Sequence, residues 1–526
     1  MAEDVEIIKK FIDADMHVTP GALNSLRETG DLRSAAEMVL ERFRSMPEKP
    51  VIVTEELVRR ILRGGSKTSV EAEPPVFSQA ETHPEKIKTK IACGKFEPPA
   101  ADIEPEVEVL IDVTGHSNSQ GRIEDFIRLF NDRYERLSRI LKERLDMRGA
   151  IPIGSVREYE GQTVRIIGMV MDKRETRKRD LIIELEDPTG NAVVFVHKNR
   201  NELMRKASEV VTDEVIGVEA RVGSDSRWSR LLFVNDIVWP DIPVPRQRRD
   251  EGTAEEGSEP IYAALISDLH VGSEMFLEDA FARFLKWLRG ESGNPNQRQV
   301  AGRVKYLVIA GDLVDGVGIY PNQEEELVIH DINKQYDAVV EYLSQVPEHV
   351  KIIVSPGNHD AVRPLEPQPA LPKDIASDFE SFEPVLVGNP AHLLLHGTRF
   401  LIYHGRGFDD LISADSSLDR KNSVNPMIKS LKKRHLAPIY GEPMGGRAPI
   451  APEGRDYLVI EEVPDVFHTG HLHVYGCGKY RGVLLVNSAT FQERTSYMKR
   501  RGVRPTPGIV PLVDLRTRKV RAIRFA

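Results

Sequence analysis

Aspartate, asparagine and histidine side chains recur directly after short apolar runs in the C-terminal half of the chain. The runs are IYAALIS, YLVIA, KIIVS, FLIY and VF. The polar residues that follow them are, in chain order, Asp268, His270, Asp312, Asn358, His359, His404, His471 and His473. Carboxylate, amide and imidazole groups are ligands that Mn²⁺, Fe, Zn²⁺ and Mg²⁺ accept. The order D-x-H, GD, GNHD, H and GHxH therefore predicts a metal site.

Each apolar run predicts a β-strand, which would place these polar residues at strand tips. Asp268 and His270 are two residues apart, as are His471 and His473. Residues i and i+2 of an extended chain face the same side, so Asp268 and His270 could reach one ion. His468 is out of phase with that scheme, and we expect it to be structural. Taken singly, each motif also fits a helix cap or a satisfied core histidine, and only the joint order favours metal binding.

Composition restricts the chemistry further. The chain has 526 residues, of which 40% are hydrophobic and 29% are charged, as in soluble globular proteins with several domains. Its two cysteines, Cys93 and Cys477, lack CxxC spacing, so a thiolate zinc cage is excluded. The net charge of −9 argues against a uniformly basic nucleic-acid surface but permits local basic patches. We find no signal peptide or membrane-spanning run, and we expect a cytoplasmic protein without a membrane partner.

Periodicity predicts a multidomain α+β organisation with five segments. A helical N-terminal domain is expected over residues 1–64 and a flexible linker over 65–120. A connecting helix and an OB-fold β-barrel are expected over 121–244, although another five-stranded sandwich also fits the strand pattern. A hinge over 245–260 then leads to the domain of residues 261–526, which carries the predicted metal ligands.

Basic side chains near these elements are candidates for binding nucleic-acid phosphates. The candidates are Lys173, Arg174, Arg177 and Arg179 between two barrel strands, and Arg406 in the loop after His404. The basic stretches at 429–435 and 499–504 are further candidates for holding a single strand. Each of these features also fits an ordinary solvated loop or helix face.

The motif order resembles the calcineurin-like metallophosphoesterase superfamily over roughly residues 260–500. The resemblance implies a two-sheet α/β sandwich with flanking helices and two divalent ions at its strand tips. It implies that Asp268, His270 and His473 hold one ion, that Asn358, His404 and His471 hold the other, and that Asp312 bridges both. His359 would lie unligated beside the phosphate as a catalytic residue. Manganese is the expected metal, with Fe, Zn or Mg as alternatives.

Two differences from related families restrict the range of possible substrates. Serine/threonine phosphatases usually have the motifs GDYVDRG and GNHE, whereas this chain has GDLVDGV and GNHD. It therefore lacks the arginine of GDYVDRG, which binds the phosphomonoester. Repair nucleases of the superfamily often carry a second catalytic histidine three residues after the bridging aspartate. Asp315 occupies that position here, so its role is open.

Longer segments around the motifs resemble a narrower family. PGNHDAVRPLEPQPALPK, NPAHLLLHG and YHGRGFDD are similar to the small subunit of archaeal D-family DNA polymerases. That family also places a helical domain, a variable linker and an OB-fold before the phosphoesterase domain. The resemblance implies a 3′–5′ exonuclease that acts on DNA 3′ ends and proofreads for a large polymerase subunit, in a heterodimer or larger assembly.

Two alternative functions use the same fold. Related eukaryotic B-subunits are scaffolds that have generally lost metal ligands, whereas every ligand position is filled here. A stand-alone phosphatase or phosphodiesterase would leave the predicted barrel and the basic loops unexplained.

Overall fold

The structure is a computed structural model that describes residues 96–224, 231–244, 259–440 and 449–526, with short pieces of the first 95 residues. The chain forms two compact units, Met1–Val76 and Phe77–Ala526. In the first unit, helices α1 (Pro20–Arg27) and α2 (Leu32–Arg44) accompany a parallel pair of two-residue strands, His17–Val18 and Ile52–Val53. Helix α2 buries its apolar residues along one face, because these residues recur at helical spacing. A helical N-terminal domain stays a prediction.

The second unit contains most of the regular structure. Its strands are β1 (Val107–Asp112), β2 (Thr163–Glu175), β3 (Leu181–Asp187), β4 (Gly190–Val196), β5 (Val215–Val222), β6 (Leu231–Val238), β7 (Tyr262–Ile266), β8 (Val304–Ala310), β9 (Lys351–Ser355), β10 (Val385–Leu386), β11 (Ala391–Leu395), β12 (Thr398–Tyr403), β13 (Val466–Thr469), β14 (Gly476–Tyr480), β15 (Val483–Asn487), β16 (Ile509–Asp514) and β17 (Val520–Arg524). Its α-helices are α3 (Ile123–Glu143), α4 (Asn201–Ser208), α5 (Glu278–Leu288), α6 (Pro295–Ala301), α7 (Ile332–Leu343), α8 (Lys373–Ala376), α9 (Phe408–Ala414), α10 (Val424–Lys433) and α11 (Ser496–Arg500).

Five strands close into a barrel in the order β2-β3-β4-β6-β5. Alternate residues of β3, namely Leu181, Ile183 and Leu185, point into the barrel core. Asp187 forms the β3–β4 turn, because its carboxylate accepts hydrogen bonds from the Thr189 and Gly190 backbone amides at 2.8 and 3.1 Å. The predicted barrel is therefore present and closed, and its interpretation as an OB-fold stays a prediction.

The C-terminal region is a sandwich of two sheets. One has the order β10-β9-β8-β7-β16-β17 followed by the short strand Glu85–Lys86, and the other has the order β14-β15-β13-β12-β11-β1. Strands β7 to β10 are parallel to one another, and β12, β13 and β15 are also parallel. Leu265 and Val308 of one sheet and Phe400 and Val466 of the other belong to the same buried core. Helices cover the outer faces, with Phe281 and Trp287 of α5 on the first sheet and Met427 of α10 on the second.

Ion pairs connect the barrel to the sandwich. Lys433 of α10 is buried and its ammonium donates to Glu214 Oε2 at 2.6 Å, while Lys432 donates to Glu209 Oε2 at 2.8 Å. The Lys432 ammonium also lies 3.8 Å from the ring centroid of Trp239. The basic stretch at 429–435 is therefore engaged within the chain, and it is not the free phosphate-binding surface that the sequence also allowed.

Part of the predicted linker differs from expectation. Residues 107–112 form β1, which pairs antiparallel with β11 at the edge of the second sheet. Ala100 donates its backbone N–H to Gly302 O at 2.9 Å, and its carbonyl accepts from Lys305 Nζ at 3.1 Å. An open sheet edge recruits such a segment by backbone hydrogen bonds, which composition does not reveal. Most of 65–95 and residues 245–258 of the predicted hinge lie outside the described residues.

Within the part of the chain that the structure describes, we identify no helix with the length and apolar character needed to cross a membrane.

Candidate metal centre

The predicted ligands follow the ends of five strands drawn from both sheets. β7, β8 and β9 end at Ile266, Ala310 and Ser355, and β12 and β13 end at Tyr403 and Thr469. Because the strands of each set are parallel, their carboxyl ends meet at one edge of the sandwich. This topology brings side chains that are far apart in sequence into one site.

Asp268, His270 and His473 form the first group of potential ligands. His473 Nε2 lies 3.2 Å from Asp268 Oδ1 and 3.1 Å from His270 Nε2. All three residues are buried, and their ligand atoms lie within 4.8 Å of one another. These are the side chains to which the sequence resemblance assigned one ion.

Asp312, His404 and His471 form the second group, again with ligand atoms within 4.8 Å of one another. His404 Nε2 lies 3.2 Å from Asp312 Oδ2 and 3.1 Å from the side-chain oxygen of Asn358. Asp312 Oδ2 also lies 3.7 Å from His270 Nε2 in the first group. Asp312 is thus located between the two groups, where the resemblance placed a bridging carboxylate.

His359 lies at the edge of this cluster with a fixed ring. Its Nδ1 is 2.7 Å from the Asp315 carbonyl oxygen, and its backbone N–H donates to Asp312 Oδ1 at 2.8 Å. Because a carbonyl oxygen only accepts, Nδ1 carries the proton. His359 Nε2 is left 4.0 Å from Asp312 Oδ2, beside the cavity described below.

Asp315, whose role the sequence left open, orients a ligand. Its Oδ1 accepts a hydrogen bond from His270 Nδ1 at 2.9 Å, which directs His270 Nε2 toward the first group. Gln492 and Gln323 donate to the same carboxylate at 3.0 and 2.8 Å. Burial acts to raise the pKa of Asp315, but the hydrogen bond from His270 keeps that pKa below its ordinary value. Carboxylate–histidine pairs of this kind fix the tautomer of metal-binding imidazoles.

The backbone at five predicted ligands is left-handed. The φ angles are 52° at Asp268, 54° at His270, 53° at Asp312, 65° at His471 and 57° at His473. Non-glycine residues adopt this region rarely and at a cost, and such residues cluster at ligand and active sites. Asp268 and His270 therefore reach the first group from curved backbone, and not by the extended i, i+2 alternation that we expected from the sequence. His471 and His473 have the same spacing but lie in different groups.

Glycines let neighbouring backbone approach the carboxylates closely. A Cβ at Gly357 would lie 2.2 Å from Asp312 Oδ1, and one at Gly470 would lie 2.5 Å from Asp268 Oδ2. Neither position has room for a side chain, and glycine is what allows this close approach.

The residues present fit divalent cations. His471 Nε2 and His473 Nδ1 are buried and make no hydrogen bond with the described residues, although Asp409 Oδ2 lies 3.4 Å from His471 Nε2. Burial acts to lower the pKa of His404, but Asp312 and Asp268 raise it to about 10. An imidazole responds in this way when its surroundings favour positive charge. Oxygen and nitrogen donors without sulfur suit Mn²⁺, Fe, Zn²⁺ or Mg²⁺.

His468, which we expected to be structural, lies outside both ligand groups that the described residues form. Its Nε2 lies 2.9 Å from Ser488 Oγ, and the ring is fully buried. Burial lowers the pKa of His468 to about 3, so the imidazole is neutral.

A cavity of about 350 Å³ adjoins both ligand groups. Besides the predicted residues, its walls contain side chains that sequence reasoning did not single out for the site: Tyr320, Arg420, Gln492 and Tyr497. Arg501, from the basic stretch at 499–504 that the sequence offered for holding a single strand, also lines the cavity. Arg420 forms an ion pair with Asp409, and Nη2 lies 2.6 Å from Oδ1. Asp409 in turn lies beside His471. No motif marks Tyr320, Arg420, Gln492 or Tyr497, because they come from separate segments that only the fold brings together.

The predicted nucleic-acid-binding residues fall into three sets. Arg406 lines the cavity. Lys173 donates to the Ser208 carbonyl at 2.9 Å, and Arg174 forms ion pairs with Asp172 and Glu184, so both are engaged within the barrel. Arg177 and Arg179 are exposed on the loop between β2 and β3.

Comparison with known proteins agrees with this geometry. Residues 262–488 match the calcineurin-like phosphoesterase family. A protein of Methanothermobacter thermautotrophicus named DNA polymerase II small subunit is 38% identical over 510 residues, which cover 97% of this chain and 98% of that protein. Proteins of the same name are 39% identical in Archaeoglobus fulgidus over 96% of this chain and 94% of that one, and 43% identical in Methanocaldococcus jannaschii over 79% and 68%.

The resemblance seen in the sequence is therefore confirmed. Membership implies that the C-terminal sandwich is a metallophosphoesterase-type domain, and the His/Asp groups within it are suited to divalent metals. The near-complete overlap with the first two of these relatives extends the match to the region before that domain. The chain belongs to the family of DNA polymerase II small subunits.

Proposed function

We propose that this chain is a metal-dependent 3′–5′ exodeoxyribonuclease that proofreads as part of a DNA polymerase. Its reaction is hydrolysis of the last phosphodiester at a DNA 3′ end, which releases a 5′-mononucleotide. The observation that carries the proposal is the complete set of oxygen and nitrogen ligands beside a cavity of about 350 Å³. A scaffold subunit has no need of such a set.

The proposed metal ligands are Asp268, His270, Asp312, Asn358, His404, His471 and His473, with Asp312 shared between two ions. The chemistry that divalent cations supply in such a site is charge neutralisation on the phosphate and activation of water. Manganese is the proposed metal. Asp315 holds His270, and the glycines leave space for both carboxylates, so the chain presents its ligands in a fixed arrangement.

His359 is the proposed catalytic residue outside the ligand set. Its Nδ1 donates a hydrogen bond to the Asp315 carbonyl oxygen, so Nε2 is the nitrogen that exchanges a proton with the substrate. A protonated Nε2 can donate to the oxygen that leaves the phosphorus atom, or stabilise the charge that develops on the phosphoryl group. The distance of 4.0 Å between His359 Nε2 and Asp312 Oδ2 supports either role.

Arginines at the cavity suit an anionic strand. Arg406, Arg420 and Arg501 line it together with the ligands. Guanidinium groups bind phosphate oxygens with two donors, and phosphate contacts are independent of sequence. A proofreading site must accept any terminal base, so this kind of recognition fits the proposed substrate.

The partner follows from the proposal. A polymerase small subunit requires a large catalytic subunit, and we infer that this chain assembles with one as a heterodimer or a larger complex. DNA 3′ ends would then pass from the polymerase site of that subunit to the cavity described here.

The proposal is tested with the full chain, alone and with its large subunit, on oligonucleotides labelled at either end. With Mn²⁺, a 3′ label should be released first as a mononucleotide, while a 5′ label should give a descending ladder. Asn358→Ala and His359→Ala should each lower cleavage at least 100-fold without loss of assembly, whereas His330→Ala, at an exposed histidine outside the site, should not. Full activity in the first two variants contradicts the site assignment.

Two further results would favour the alternatives. A wild-type chain that binds Mn²⁺ but cleaves no DNA would indicate a scaffold subunit. Hydrolysis of nitrophenyl phosphates in preference to mispaired primer ends would indicate a small-molecule phosphatase.

A further inference from the structure

Two tyrosines in the cavity wall have no part in the proposed metal chemistry. The rings of Tyr320 and Tyr497 are stacked, with centroids 5.3 Å apart and planes inclined by 28°. Both side chains are half-buried, and both line the cavity that contains the ligands. The Tyr320 ring centroid lies 6.4 Å from that of His359. The pair therefore extends an aromatic surface from the catalytic histidine outward.

Glu326 joins the two segments that carry these rings. Its Oε2 accepts a hydrogen bond from the Tyr320 hydroxyl, and its Oε1 accepts one from the Ser496 backbone N–H, both at 3.1 Å. Ser496 is the first residue of α11, and Tyr497 is the second. One carboxylate thus holds the loop after β8 against the start of α11, and this contact sets the two rings side by side.

The loop that carries Tyr320 is also tied to the metal site. The buried Gln323 side chain donates to the carbonyl and the carboxylate of Asp315 at 2.7 and 2.8 Å. The Gln323 side-chain oxygen accepts from the Ile319 backbone N–H at 2.8 Å, directly before Tyr320. Because Asp315 orients His270, the aromatic surface and the ligands share one framework.

A cation accompanies the pair. The Arg501 guanidinium lies 5.0 Å from the Tyr497 ring centroid, and Arg501 itself is exposed and lines the cavity. Stacked aromatic rings with an adjacent arginine are the combination that binds single-stranded nucleic acid without sequence preference. Every base has a π-face, whereas hydrogen-bond recognition would discriminate among bases.

We propose that Tyr320 and Tyr497 bind the base of the 3′-terminal nucleotide by stacking, with Arg501 holding the strand that carries it. The inference rests on the proposed exonuclease function and adds to it a determinant of specificity. A terminal base must leave the duplex to reach the tyrosines, and a mispaired base does so at lower cost than a paired one. Preference for unpaired ends follows from that difference.

The test compares a single strand that ends in a normal nucleotide with the same strand ending in an abasic deoxyribose. Tyr320→Leu and Tyr497→Leu should each lower kcat/KM about tenfold on the normal end and less than twofold on the abasic end. Tyr320→Phe and Tyr497→Phe should retain the wild-type preference, since they keep the ring. Tyr440→Leu, at an exposed tyrosine outside the cavity lining, is the matched control. Equal losses on both substrates would overturn the inference.

A binding measurement separates this inference from the proposed function. An oligonucleotide with 2-aminopurine at its 3′ end is added to the full chain carrying Asn358→Ala, and fluorescence is followed without cleavage. Stacking predicts quenching that is lost on further change of Tyr320 or Tyr497 to Leu. Quenching with that dependence supports the inference even if the wild-type chain cleaves no DNA. Absence of quenching, or quenching that persists in the leucine variants, contradicts it whatever the cleavage result.

Discussion

Left-handed backbone at the ligands is the most specific feature of the site at the scale of single residues. Each such residue costs on the order of 1–3 kcal/mol, and five of the proposed ligands adopt it. Hydrogen bonds to the ligand carboxylates help to hold this geometry: Asp312 accepts from the His359 amide, and Asp268 from the His471 amide at 2.9 Å. The ligands are therefore positioned by backbone that the rest of the domain constrains.

Gly357 should be indispensable for metal binding. A methyl group there would overlap Asp312 Oδ1 and would lie 2.6 Å from the Asp312 backbone nitrogen, so the Asp312 carboxylate would have to move. We expect Gly357→Ala to weaken Mn²⁺ binding at least tenfold, as measured by titration calorimetry. Gly454→Ala is the control, because its nearest contact would be at 3.9 Å. Unchanged Mn²⁺ affinity in Gly357→Ala would show that Asp312 does not hold the metal.

Asp315 should act through His270. Removing the carboxylate in Asp315→Ala frees the imidazole tautomer, and we expect metal affinity to fall by roughly 10- to 100-fold. Asp315→Asn should recover part of this loss, since an amide oxygen can still accept from His270 Nδ1. The same calorimetric titration gives the answer. Loss of thermal stability with full Mn²⁺ affinity would instead assign Asp315 a purely structural role.

At the scale of elements, helix α3 is fixed by a fully buried arginine. Arg133 donates from Nε to Asp456 Oδ2 at 2.7 Å and from Nη1 to the carbonyls of Asp213 and Pro438 at 3.0 and 2.7 Å. His435 Nε2 lies 2.9 Å from the same Asp456 oxygen. Burial acts to raise the pKa of Asp456, but Arg133 and His435 hold that pKa well below its ordinary value. The helix, the barrel loop and the sandwich therefore meet at one charged contact.

Breaking this contact should be costly. Arg133→Met would leave the Asp456 carboxylate buried without its main partner, and we expect a loss of about 3–5 kcal/mol in the free energy of unfolding. Arg139→Met is the control on the same helix: Arg139 is 60% exposed and pairs with Glu461, and its loss should cost less than about 1 kcal/mol. Denaturant titrations of both variants measure the difference. Equal costs would mean that the buried pair adds nothing specific.

At the scale of the whole molecule, the sandwich, the barrel and α3 enclose polar groups that solvent does not reach. His392 on β11 is 6% exposed, and it lies within electrostatic reach of Arg455 and of Arg136 on α3. Burial, with a smaller contribution from the two arginines, lowers the pKa of His392 to about 4. The imidazole is neutral in the folded protein and charged in the unfolded chain below its ordinary pKa.

This difference predicts acid sensitivity. The unfolded chain binds a proton at His392 below about pH 6.5, while the folded protein does so only near pH 4, so stability falls as the pH drops through that range. The slope from this group is roughly 1.4 kcal/mol per pH unit. His392→Leu should flatten the fall, whereas His330→Leu at an exposed position should leave it unchanged. Parallel pH profiles for wild type and His392→Leu would contradict the prediction.

The order of the motifs predicted that these polar residues would meet at strand tips, and the family resemblance predicted which of them would share a group. Asp268, His270 and His473 do meet, as do Asp312, His404 and His471. Alternation of the β3 residues likewise predicted a strand with one buried face, and the barrel contains it. Such features depend on residues that are close together in the sequence, so the sequence alone is enough to predict them.

Other features depend on contacts between distant segments. Tyr320 and Tyr497 are ordinary residues in sequence, and Glu326 joins the two segments that carry them. Residues 107–112 fall within the predicted linker, yet they pair with the open edge of β11. The sequence made the lysines of α10 candidates for DNA binding, but in the structure they form ion pairs with acidic residues of the barrel.

The amino-acid sequence by itself determined the ligand types, their order along the chain, the strands that carry them and the family, because these follow from local periodicity and residue chemistry. Only the tertiary structure decided the left-handed ligand backbone, the orientation of His270 by Asp315 and the aromatic wall beside His359. Each of these is set by the packing of segments far apart in sequence, and no local pattern encodes which partners will meet.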